Sequence, residues 1–152
     1  MKTLSPQRYV AQRAAVPSTQ MGDALATMLE EVWKHLNQQP SVTVGPAVVR
    51  YHGISEGDVF QVEAGFPIGE EDVPQTGRIA SSHLPGGTAA TTLHWGPYDG
   101  LAQSWADLEG FLQEQGLVGD GPRWEIYWVD PSQTEDMAEW RTELVWPVRS
   151  PA

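Results

Sequence analysis

Residues 121–131 read GPRWEIYWVDP, and Glu125 is the residue there that could do chemistry. It stands between Trp124 and Ile126, with Tyr127 and Trp128 following, in what is otherwise a run suited to a buried strand. A carboxylate half-buried among aromatics costs several kcal/mol unless a partner offsets its desolvation. An organic cation is one such partner, and each aromatic face beside it adds about 0.5–2 kcal/mol. Directing a water for hydrolysis is another use of the same acid. A plainer reading keeps Glu125 at an exposed edge, or pairs it with Arg123 or Arg50.

Other candidates carry less. GISEG (53–57) fits the G-x-S-x-G pattern of hydrolase nucleophiles, but that chemistry needs a following helix. DVFQVEAGF alternates like a strand instead, so the motif reads as a hairpin turn. The four histidines, His35, His52, His83 and His94, lack compact metal-binding spacing, and no metal or cofactor is expected. His94, near Gly96-Pro97-Tyr98, either lines a cleft or is a hydrogen-bonded structural histidine. GDGPRW (119–124) opens a strand rather than a helix, so it is a turn and not a phosphate cradle.

An internal repeat supplies the elements that position these residues. Leu25, Leu29, Val32 and Leu36 form an amphipathic helical stripe, and Leu101, Trp105, Leu108 and Leu112 form another. The two stripes are in register 76 residues apart. GPAVVRY at Gly45 and GPRWEIY at Gly121 keep the same offset, both as strands entered from Gly-Pro turns. VFQVEAGFPI (59–68) then matches EWRTELVWPV (139–148) at offset 80, pairing Glu63 with Glu143 and Phe60 with Trp140. RYVAQRAAV (8–16) and TAATTLHW (88–95) are the strands preceding each helix.

The expected fold is therefore α+β, with two pseudo-twofold βαββ modules. One spans about 8–68, the other about 88–148, and a 69–87 linker is mostly loop with a short extended piece at Arg78 to Ser82. Fused antiparallel sheets would carry both helices on one face and a ligand cleft on the other. Strand alternation separates Trp124, Ile126 and Trp128, bulky enough to pack under the helices, from Arg123, Glu125 and Tyr127, which would face the cleft. The repeat breaks at the acid, because Val49 stands where the second module has Glu125.

Composition narrows the function classes. The chain has 152 residues, 20 acidic against 9 basic, and a net charge of −11, which argues against phosphate-backbone binding. Without cysteine, thiol catalysis and thiolate metal sites are excluded. No stretch reads as a signal peptide or membrane span, so a cytoplasmic protein with no membrane contact is expected.

VEAGFPI (62–68), HWGPYDGL (94–101), FLQEQGL (111–117), GPRWEIYWVDP (121–131) and TELVWPV (142–148) together resemble the GyrI-like small-molecule-binding domain. This is the effector-binding domain of bacterial multidrug-responsive and AraC-type regulators. The resemblance implies an aromatic cleft that receives lipophilic, cationic ligands on an acid, and its aromatic-Glu-x-Tyr motif falls on Trp124-Glu125-Ile126-Tyr127. The ligand-binding candidates are Glu125, Tyr127, Tyr51, Phe60, Trp140 and His94. Only about 20 residues precede the first helix, so a stand-alone member with no direct DNA binding is expected. Stand-alone relatives also suggest a hydrolase of electrophilic compounds using Glu125, or a module for a protein partner such as DNA gyrase.

Overall fold

A computed structural model describes residues 1–38, 44–55, 59–69, 77–130 and 133–150. Along the chain run β1 (Lys2–Leu4), β2 (Gln7–Pro17), α1 (Met21–Asn37), β3 (Ala47–Ser55), β4 (Val59–Pro67), β5 (Ile79–Leu84), β6 (Gly87–Trp95), α2 (Leu101–Glu114), β7 (Val118–Gly119), β8 (Arg123–Val129) and β9 (Arg141–Arg149). They form two compact units, Ser5–Gly86 and Met1–Leu4 with Gly87–Ala152. Each unit contains a strand, a helix and two strands, the α+β arrangement that the repeat implies.

In the Ser5–Gly86 unit the antiparallel strand order is β3-β4-β2-β5. The linker's extended piece is β5, paired with β2 from Ile79 opposite Gln12 to Leu84 opposite Gln7. α1 buries Met28, Val32 and Leu36, and Val32 and Leu36 meet Val10, Ile68 and Ile79. Gly65 makes this packing possible. A Cβ there would lie 1.9 Å from the Val10 carbonyl oxygen and 2.6 Å from Ala11 Cα, so β2 and β4 could not approach so closely.

In the second unit the order is β1-β6-β9-β8, with β7 also paired to β9. β1 and β7 are additions to the expected strands. β1 sits on β6 as β5 sits on β2, so the outer strand repeats although the chain supplies it from different places. α2 lays Trp105, Leu108 and Leu112 on Ala90, Leu144 and Val148. Gly116, with φ +66°, ends the helix, and the Leu117 N–H returns to the Leu112 carbonyl at 2.9 Å.

The repeat extends to irregularities. β3 bulges between Tyr51 and Gly53, and β8 between Tyr127 and Val129, again 76 residues apart. The bulged residues serve the repeat-related acids: the His52 ring bonds Glu63, and the Trp128 indole donates to Glu143 at 3.0 Å. A bulge swings one side chain off the regular alternation, which is how both reach across.

Ser55 ends β3, which pairs antiparallel with β4 in register Ser55 to Val59. A strand, and no helix, follows it, so GISEG lacks the geometry of a nucleophile elbow. The expected hairpin turn itself falls at 56–58, outside the described residues. Among the described residues no helix is long and apolar enough to cross a membrane.

Candidate functional site

β8 starts after Gly121, whose φ of +105° makes the turn at Gly-Pro. Glu125 then lies opposite Leu144 of β9, and Tyr127 opposite Thr142. Opposed residues of an antiparallel pair share a face. Leu144 belongs to the core under α2, so Arg123, Glu125 and Tyr127 lie on the helix-covered face. This corrects the expectation that Trp124, Ile126 and Trp128 pack under the helix while Arg123, Glu125 and Tyr127 face a cleft on the side away from it. Trp124 instead lies opposite Val145, Ile126 opposite Glu143, and Trp128 is exposed. Alternation separates two faces but does not say which one a helix covers.

The helix itself meets the acid. The Trp105 Nε1–H of α2 donates to Glu125 Oε2 at 2.8 Å, and the Tyr127 hydroxyl donates to Oε1 at 2.6 Å. Glu125 is 2% exposed and Trp105 8%. Each hydrogen bond to a charged acceptor contributes about 1.5–3 kcal/mol. Two of them offset much of the several kcal/mol that burying a carboxylate costs.

Aromatic rings surround this centre. Tyr98, at the 3-10 turn before α2, meets Tyr127 edge-on with centroids 5.7 Å apart. It also stacks on Trp140 at 5.3 Å and 25°. Trp140 is held by its indole N–H, which donates to the Thr134 carbonyl at 3.0 Å. The Tyr98 hydroxyl is pushed up to about 12, first by burial and then by the negative charges of Asp130 and Glu125. It is therefore a neutral hydroxyl at physiological pH. Arg123 does not use its guanidinium as the expected alternative had it, in an ion pair to Glu125. Its Cζ lies 4.4 Å from the Trp105 ring centre and 4.7 Å from that of Trp146.

Of the candidates read from sequence, Glu125, Tyr127 and Trp140 belong to one cluster. His94 is engaged at both ring nitrogens, with Ser104 Oγ at 2.7 Å and the Pro97 carbonyl at 2.8 Å. It ties the end of β6 to the turn and to α2, the structural role offered as its alternative. Tyr51 and Phe60 belong to the other unit, where they meet edge-on at 6.4 Å and 73°.

Trp105 and Tyr98 were not among the candidates. In sequence Trp105 reads as part of an apolar stripe, though an indole carries a donor that must be satisfied when buried. The signal was a tryptophan where the first stripe has Leu29. Tyr98 lies within HWGPYDGL, but its stacking depends on the loop leading to Trp140. Among the described residues no group of three or more His, Asp or Glu could hold a metal ion.

Residues 1–149 match the GyrI-like small molecule binding domain. No curated protein sequence matches the chain. Among solved structures, the EcmrR C-terminal domain superimposes with a TM-score of 0.86 at 22% identity, over 98% of this chain and 95% of that one. In the EcmrR–DNA complex the likeness covers 98% of this chain but 56% of that one, so the present chain spans little more than half of EcmrR there. A hydrolase from Listeria innocua gives 0.65 at 16% identity, over 97% of this chain and 90% of that one. SAV2435 bound to tetraphenylphosphonium gives 0.63 at 12%, over 97% and 92%. At such identities the likeness is one of fold.

Proposed function

The chain belongs to the GyrI-like small molecule binding domain family, and from that premise we propose that it captures lipophilic cations, with Glu125 as the countercharge. Tyr98, Tyr127 and Trp140 supply the aromatic contacts. The observation that carries this reading is a carboxylate 2% exposed that accepts hydrogen bonds from Trp105 and Tyr127, amid further aromatic rings. These two donors fix the direction in which the carboxylate points. A delocalised cation with an apolar periphery suits both the charge and the ring faces. Tetraphenylphosphonium, which SAV2435 binds, has this chemistry.

Hydrolysis of an electrophile is the competing reading, and the Listeria hydrolase shares the fold. It asks Glu125 to take a proton from water. Both oxygens already accept a hydrogen bond, so Trp105 and Tyr127 hold the acid in one orientation, as a fixed countercharge beside aromatic rings requires. Binding is therefore favoured over turnover.

Calorimetric titration with tetraphenylphosphonium tests the proposal. Binding in the native protein, weakened about tenfold or more by Glu125→Gln, is expected from loss of a charge-assisted contact. Equal affinity in the variant would remove Glu125 from the site. Product release from electrophilic esters, abolished by the same substitution, would favour hydrolysis.

A further inference from the structure

Arg123, Trp105, Trp146 and Glu125 form one connected assembly. The guanidinium lies against both indole rings, which themselves meet at 76° with centroids 5.8 Å apart. Trp146 is backed by the chain at Gly119, where a Cβ would come within 2.6 Å of Trp146 Nε1. Trp105 is packed among Leu108, Leu112 and Leu144 and points its N–H at Glu125.

The repeat shows that the fold does not require this assembly. At the equivalent positions the Ser5–Gly86 unit has Leu29, Ala47, Val49 and Phe66, all apolar. Ala47 and Val49 are buried there, as a plain core would have them. The four positions differ together, so the charge on Arg123 and the acid on Glu125 belong to one arrangement.

We infer that Arg123 is a positioning residue for Glu125, acting through the indole of Trp105. A cation over an indole face draws on the ring's π-density, which makes the edge N–H a stronger donor. It also holds the ring plane, so that the N–H stays aimed at Oε2. Arg123 reaches the ligand site through Trp105, and it need not touch a ligand. The inference rests on the proposed role of Glu125 for its functional meaning, but its geometry is tested without a ligand.

The test uses the ligand-free full chain and nuclear magnetic resonance of the indole N–H groups, with the Trp105 signal identified by its loss in Trp105→Phe. Arg123→Met keeps the apolar stem and removes the charge; Arg123→Lys keeps the charge. In Arg123→Met the Trp105 indole proton should move upfield and exchange with solvent about tenfold faster, from loss of a cation–π contact. In Arg123→Lys it should stay within about threefold of the native rate. Identical behaviour of the two variants would reduce Arg123 to packing and overturn the inference.

A second measurement guards against poorly folded variants. Shifts in thermal midpoint for Arg123→Met and Glu125→Gln should be non-additive, and the non-additivity should vanish in a Trp105→Phe background. Additive shifts with Trp105 present would overturn the inference, as would non-additivity that survives Trp105→Phe. If the native protein fails to bind tetraphenylphosphonium while these results hold, the binding proposal falls and the positioning role stands.

Discussion

Removing one hydroxyl should show how strongly the buried acid depends on its donors. Tyr127→Phe deletes the O–H that Glu125 Oε1 accepts at 2.6 Å and changes little else in shape. With Glu125 2% exposed, water has poor access to replace the lost donor. A hydrogen bond to a charged group contributes about 1.5–3 kcal/mol, so a loss in that range is expected. For a chain of this size, about 2–4 °C of melting temperature per kcal/mol gives a fall of roughly 3–12 °C. The assay is thermal unfolding by circular dichroism, repeated in a Glu125→Gln background. There the deleted bond is neutral, and the loss should shrink to about 0.5–1.5 kcal/mol. A fall below about 1 °C in the native background, or equal losses in both, would refute the picture of a charged acceptor held by Tyr127.

Two other consequences are open to direct measurement. Gly65→Ala would drive a Cβ to 1.9 Å from the Val10 carbonyl oxygen in the paired strand, so a loss of about 3 kcal/mol or more, or failure to fold, is expected in chemical denaturation. The Tyr98 hydroxyl, raised from 10 to about 12 in the folded chain, keeps its proton where the unfolded chain loses it. Its contribution is present below pH 10 and lost as pH rises from 10 to about 12, so Tyr98→Phe should flatten stability over that window in melts taken across it.

The repeat was legible because both of its signals are local. The stripes that became α1 and α2 differ at two core positions, Trp105 for Leu29 and Leu108 for Val32, and their register announced the second module. The acid was legible as a break in that repeat, since Val49 is its buried twin. The face it occupies was not. Three bulky residues, Trp124, Ile126 and Trp128, look like the buried side, yet Trp128 sits at a bulge and is exposed. The deciding contact is Trp105 to Glu125, between residues 20 apart on different elements, and no strand period encodes it. β1 was equally hidden, because three residues gain strand form only by pairing with Gly87 to Ala89. His94 had two readings in sequence, and its contacts to Pro97 and Ser104 depend on the turn and helix that follow it.

The central claim is that Glu125 gives the site its preference for cations. Glu125→Gln isolates it, because the amide can keep both contacts: its oxygen accepts from Trp105, and its nitrogen donates to a Tyr127 hydroxyl that has turned. The decisive measurement is calorimetric titration of native and Glu125→Gln protein with tetraphenylphosphonium and with neutral triphenylphosphine oxide. The account predicts that the substitution weakens the cation about tenfold or more and leaves the neutral compound within about threefold. Equal loss for both compounds, or none for the cation, would contradict it.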